Sequence, residues 1–218
     1  MSAMEKKMPK RSREPEEALG PSIDGMDQIE RLEMALRPHP EPEPEPEPET
    51  APEPEEPQTA LICGSGELAL ACARLALQCG FNIELAAKAA PDPEDELARL
   101  AGAVHVLEDY NDLAEACQID ANHYVCVFAE DARDCEHILY QCLPTSAAYI
   151  GAWANRELAR EIFAGLKEAG APDAELAAIC CPMGLGIGSQ TTGQDAVAIV
   201  AEILAAKSGV LKRLRYRD

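Results

Sequence analysis

An apolar run, Thr59-Ala60-Leu61-Ile62-Cys63, breaks at Gly64-Ser65-Gly66 and passes at once into a helical pattern beginning Glu67-Leu68-Ala69. The order reads as strand, tight turn, helix, and it constrains the fold more than any other stretch. Gly64 can take a backbone conformation closed to residues with a Cβ, Gly66 lets a ligand approach the chain, and Ala69 lets helix and strand pack closely. Unpaired N–H groups and the positive dipole end of the helix then face whatever sits over the turn, which favours phosphate or another anion. The spacing is the G-x-G-x-x-A form of a dinucleotide-binding fingerprint, a pattern that glycines kept only for packing also produce.

The chain after this turn alternates short apolar runs with amphipathic ones. Strands are predicted at 59–63, 81–86, 103–107, 123–128, 147–150 and 178–181, and the main helices at 68–79, 131–142, 155–169 and 192–207. Shorter helices are expected before Gly102 and around Leu113 to Cys117. Such alternation implies an α/β fold, a doubly wound and mostly parallel sheet of about six strands covered on both faces. In such sheets the ligand lies beyond the carboxyl ends of the strands, where the strand order reverses.

Residues 1–58 differ in composition. They hold most of the prolines, including an alternating Glu-Pro run from Glu41 to Glu49, and have little to bury. A disordered, acidic, polyproline-like leader is the expectation, with a short helix at 24–37 marked by Met26, Ile29, Leu32 and Leu36 and ended by Pro38. Residues 59–209 form one domain, and 210–218 form a basic tail carrying Lys212, Arg213, Arg215 and Arg217. A formal charge of −20 argues against general nucleic-acid binding. No run is apolar and long enough to span a membrane, and no signal peptide is recognisable. Nine cysteines, an odd number without framework spacing, suggest reduced thiols and a cytoplasmic setting.

Two further loops belong to the expected ligand end. Gly151-Ala152-Trp153-Ala154-Asn155-Arg156 opens a helix with Asn155 as its cap and Arg156 placed to meet an anion. Pro182-Met183-Gly184-Leu185-Gly186-Ile187-Gly188 places three glycines at alternate positions before the last helix. The four histidines, His39, His105, His123 and His137, match no zinc spacing. Glu108-Asp109 and Glu130-Asp131 each follow a strand, where they read as cleft-lining acids or as helix-start charges.

The Pro182 to Gly188 segment, followed by Ala196-Val197-Ala198-Ile199-Val200-Ala201-Glu202-Ile203-Leu204, resembles the ending of the XdhC/CoxI family. The resemblance runs upstream through Ala148-Tyr149-Ile150-Gly151, Asp134 and the Gly64 turn, and covers roughly Thr59 to Gly209. It implies a Rossmann-like domain in an accessory protein, not itself an enzyme. Such a protein would hold the molybdenum cofactor and assist its delivery to a molybdenum hydroxylase such as xanthine dehydrogenase. The implied binding residues are Gly64, Ser65, Gly66, Gly151, Asn155, Arg156, Gly184, Gly186 and Gly188. The implied partners are the hydroxylase apoenzyme and a sulfur donor, with homodimerisation through a sheet edge or helix also expected. Cys180 and Cys181, beside the second glycine loop, are candidates to carry sulfur or contact molybdenum, against the simpler reading of buried apolar thiols.

The sequence departs from the family at polar positions. An acidic residue followed by arginine after the second strand becomes Ala86-Ala87-Lys88, removing the group that would hold a ribose hydroxyl. A Thr-His pair falls on Ala129 and Glu130, a Gly-Ser-Arg-Arg-Lys run becomes Ala154-Asn155-Arg156-Glu157-Leu158, and an aspartate of the last loop becomes Gly186. The alternatives are an NAD(P)-dependent oxidoreductase, with Lys88 accommodating a 2′-phosphate, and a scaffold that acts through protein contacts.

Overall fold

A computed structural model describes residues 57–129 and 131–211; the acidic leader (with the helix expected at 24–37), Glu130 and the basic tail from Lys212 lie outside the described residues. Five strands, β1 (Thr59–Gly64), β2 (Asn82–Ala87), β3 (Ala103–Val106), β4 (His123–Phe128) and β5 (Tyr149–Ala152), form one sheet in the order β3-β2-β1-β4-β5. Every pairing is parallel. The chain winds outward from β1 to β3, then crosses back to β4 and β5. The order therefore reverses between β1 and β4, and the doubly wound expectation holds.

Burial explains the sequence pattern. β1 and β4 lie at the centre, and all six residues of β4 are buried, which is why both read as continuous apolar runs. Edge strand β3 instead alternates, leaving Val104 and Val106 exposed. Along the central strands successive side chains enter opposite cores. Ala60, Ile62, Tyr124 and Cys126 face one layer, where α1 (Glu67–Gln78) and the long helix α7 (Thr192–Lys207) pack. Leu61, Cys63, Val125 and Val127 face the other, with α4 (Ala132–Cys142) and α5 (Arg156–Glu168). Each fully buried leucine or isoleucine contributes about 1.5–3 kcal/mol. Three short helices, α2 (Glu96–Leu100), α3 (Leu113–Ala116) and α6 (Asp173–Leu176), complete the described elements.

The sixth strand expected at 178–181 is reduced to a single bridge between Cys180 and Gly151. Ala178 and Ile179 are still in the turns that close α6, donating to Glu175 and Leu176. Pro182 has no N–H with which to extend a ladder. Only Cys180 is left to pair, and Met183 N–H then reaches Ala152 O at 2.9 Å. The four-residue α6 gave no readable period in the sequence.

Candidate functional site

The site begins where β1 ends. Gly64 has φ 112°, and a Cβ there would lie 2.9 Å from the carbonyl carbon and oxygen of Phe128, the last residue of β4. Only glycine lets the two central strands end this close together. Gly66, at φ 106° and ψ 174°, is the N-cap of α1 and offers no side chain to its first-turn amides. The other long helices are capped by side chains: α4 by Asp131, α5 by Asn155 and α7 by Thr191. At α1 the orphan N–H groups and the positive dipole end point out of the sheet at its switch point.

Two clefts meet at Ser65 and Gly66. The first, of about 630 Å³, runs from Gly64–Gly66 to Lys88–Pro91 and is walled by Leu85, Leu97, Tyr110, Phe128, Asp131 and Asp134. The second, of about 620 Å³, lies between Ser65–Leu68 and Trp153–Asn155, with Phe128, Ala129 and Leu158. Both fall in the size range of small-molecule sites. Each combines an apolar wall with the amide-rich turn.

The ionisable groups of the first cleft are committed. Asp131 accepts from the N–H groups of Arg133 (2.8 Å) and Asp134 (3.2 Å), and Asp95 accepts from Leu97 N–H at 3.0 Å. Asp134 pairs with Lys88, whose Nζ also lies 5.6 Å from the centroid of the Tyr110 ring. Burial, with smaller contributions from Cys63, Asp134 and Cys135, pushes the Tyr110 hydroxyl up to about 12. Behind the turn, burial holds the Cys63 thiol well above its ordinary value, so it stays protonated.

The structure brings Gly64, Ser65, Gly66 and Asn155 to these clefts. Asn155 does so as a cap, its Oδ1 accepting from Glu157 N–H (2.9 Å) and Leu158 N–H (2.8 Å). Arg156 lies instead on a groove of about 500 Å³ with Arg160, Phe163, Lys167, Cys181 and Pro182. Gly151 sits inside β5, where a Cβ would collide with the Tyr149 ring. Gly184, Gly186 and Gly188 are not among the residues lining either cleft. Gly184 packs against α7, its missing Cβ position 3.3 Å from Ile199 Cγ1. Glu202, fully buried on α7, fastens that loop by accepting from Gly184 N–H at 3.2 Å and from the Tyr149 hydroxyl at 2.6 Å.

None of the nine cysteines is in a disulfide; Cys180 is buried, Cys181 is partly exposed, and neither lines the two clefts. Among the described residues no group of three or more His, Cys, Asp or Glu is placed to hold a metal ion. No described helix is long and apolar enough to cross a membrane. The amide donors at the turn suit the phosphate end of a ligand, and the cleft carboxylates of Asp95, Asp131 and Asp134 do not form, among the described residues, a group placed to hold a metal ion. Sequence reasoning missed Tyr110 and Asp95 as cleft residues, since both sit in acidic loops without periodicity.

Comparison with known proteins gives a consistent placement. The uncharacterised protein YqeB of Escherichia coli (strain K12) is 28% identical over 152 residues, covering 70% of this chain. The match spans only 28% of that relative's own length. A crystal structure from Bacillus halodurans, described as a xanthine dehydrogenase, superposes with a TM-score of 0.59 at 20% identity. It covers 70% of this chain and 43% of that one, a likeness of fold. Residues 60–203 match the XdhC Rossmann domain, so this chain belongs to the XdhC family through that domain.

Proposed function

We propose that the domain is a non-catalytic carrier of a phosphorylated pterin or nucleotide, the molybdenum cofactor or its nucleotide form, and assists maturation of a molybdenum hydroxylase of the xanthine dehydrogenase type. The observation that carries this reading is the uncapped start of α1 at Gly66, opening where the two clefts meet. A phosphate placed there accepts N–H groups that no side chain uses, and the helix dipole favours its charge. The pterin would lie along Leu85, Leu97 and Tyr110 or along Trp153 and Leu158.

A carrier role suits the commitments of the first cleft. Asp95 and Asp131 hold helix starts, Asp134 holds Lys88, and Tyr110 keeps its proton to about pH 12. A general acid or base works best with a pKa near the operating pH, a condition Tyr110 does not meet. The chain's own role toward the cargo is to bind and orient the phosphate and to shield the ring. The client apoenzyme and a sulfur donor are the proposed partners, and the cytoplasm the proposed setting.

Trp153, the sole tryptophan, is partly exposed on the second cleft and reports occupancy by fluorescence. Titration with molybdenum cofactor is expected to change its emission saturably. Gly66→Val, which adds a branched side chain at the turn, is expected to weaken binding about tenfold or more. Unchanged affinity in that variant would remove the phosphate from this turn.

A further inference from the structure

The far end of the first cleft carries a second group suited to an anion. β2 pairs with β1 so that Cys63 stands beside Ala86, and the two strands end side by side. Gly66 and Lys88 line the same cleft, and in doubly wound sheets a ribose whose 5′-phosphate rests at the first turn lies toward the end of the second strand. In sheets of this type a carboxylate at that place receives the ribose 2′-hydroxyl, whereas a cation accommodates a phosphate on it. Here Ala86 and Ala87 offer no such carboxylate, and Lys88 lines the cleft.

Lys88 is already arranged as a phosphate binder would be. Its ammonium is held over Tyr110 and paired with Asp134, and all three residues line the same cleft. The pair is partly solvated, with Lys88 44% and Asp134 21% exposed. Exposed pairs of this kind are weak. A phosphate monoester carries nearly two charges and three acceptor oxygens, so it can displace a single carboxylate from the ammonium. Asp134 thus keeps the cation in place while the cleft is empty and yields it to a stronger anion. With a one-phosphate ligand the pair stays closed and adds nothing to binding.

We propose that Lys88, released from Asp134, forms a second phosphate subsite that selects nucleotide-like ligands bearing a phosphate monoester on the ribose over those with a 5′-phosphate alone. The inference rests on the reading that a phosphate occupies the Gly66 turn. Isothermal titration of the purified full chain with 5′-AMP, 2′,5′-ADP and 3′,5′-ADP tests it. The expected result is at least about tenfold tighter binding of one of the two bisphosphates than of 5′-AMP. Whichever binds tighter identifies the ribose position read. Lys88→Met should bring that ratio to about one while leaving 5′-AMP affinity within about twofold, and Lys88→Arg should retain the preference. Asp134→Asn, which removes the competing carboxylate, should tighten the bisphosphate about threefold or more. Equal binding of all three nucleotides, or a preference that survives Lys88→Met, overturns the subsite and leaves the Gly66 reading standing. Absence of binding by any of them overturns both.

Discussion

Gly64 and Gly66, with only Ser65 between them, do different work, and substitution separates them. A Cβ at Gly64 meets the backbone of Phe128, which cannot swing aside as a side chain could. Gly64→Ala is therefore expected to cost about 2–4 kcal/mol, left-handed strain plus strand displacement, read from urea denaturation. A Cβ at Gly66 meets nothing within 4 Å, so Gly66→Ala should cost only the strain of its φ 106°, ψ 174° backbone, about 1–3 kcal/mol, and less than Gly64→Ala. Similar losses at the two positions would show that the close strand ends are not what requires Gly64. Glu202 supplies a third contrast. Glu202→Ala strands the Tyr149 hydroxyl and the Gly184 N–H in a closed site, with an expected loss of about 2–4 kcal/mol. Glu202→Gln keeps an acceptor and should recover at least half of it; equal destabilisation by the two would mean packing, not hydrogen bonding, dominates there.

Among the elements, the helix starts carry most of the local information. Asn155 was expected as a cap because a short polar acceptor precedes an apolar period, and it accepts N–H bonds from the first turn; Asp131 and Thr191 cap α4 and α7 in the same way. Asn155→Ala should destabilise by about 1 kcal/mol, while Asn155→Ser should be nearly neutral. The seam between α1 and α7 depends on small residues. Ala69, Cys72, Ala73 and Ala76 are buried against a core that includes Ala196, Ile199, Val200 and Ile203. Ala73→Leu overfills that seam and is expected to cost about 1–3 kcal/mol in thermal unfolding, against little effect for Leu77→Ala on the exposed side. The segment at 178–181 went the other way. Its apolar residues suggested a strand, but the closing turns of α6 and the proline at 182 left one bridging residue.

For the molecule as a whole, the buried thiols set a pH limit. Cys72, Cys117, Cys135 and Cys142 are each pushed up to about 12, chiefly by burial, and burial also holds Cys63 and Cys126 well above the ordinary thiol value. In the unfolded chain these groups lose protons near pH 8.5. Their contribution is therefore fully present below about pH 8 and is lost as pH rises toward 12, because above 8.5 the unfolded state binds fewer protons. Under reducing conditions the urea midpoint should fall progressively from pH 9 to 11. The slope approaches about 1.4 kcal/mol per pH unit for each thiol that titrates only on unfolding. A flat midpoint to pH 11 would show that these thiols are not sealed from solvent in the native state.

The sequence by itself determined the class of the fold and the place of the turn. Continuous apolar runs at 59–63 and 123–128 require burial on both faces, and a glycine pair between strand and helix leaves few other geometries. Local spacing also gave Asn155 its cap role. Tertiary structure alone decided which loops share a cleft. Lys88, Tyr110 and Asp134 are separated by more than twenty residues at each step, yet the crossover from β3 to β4 places them around one cavity. The same winding turned Gly184 toward α7 and Arg156 toward another groove. Periodicity reports which face of an element is buried; it holds no record of which two loops the sheet order will set side by side.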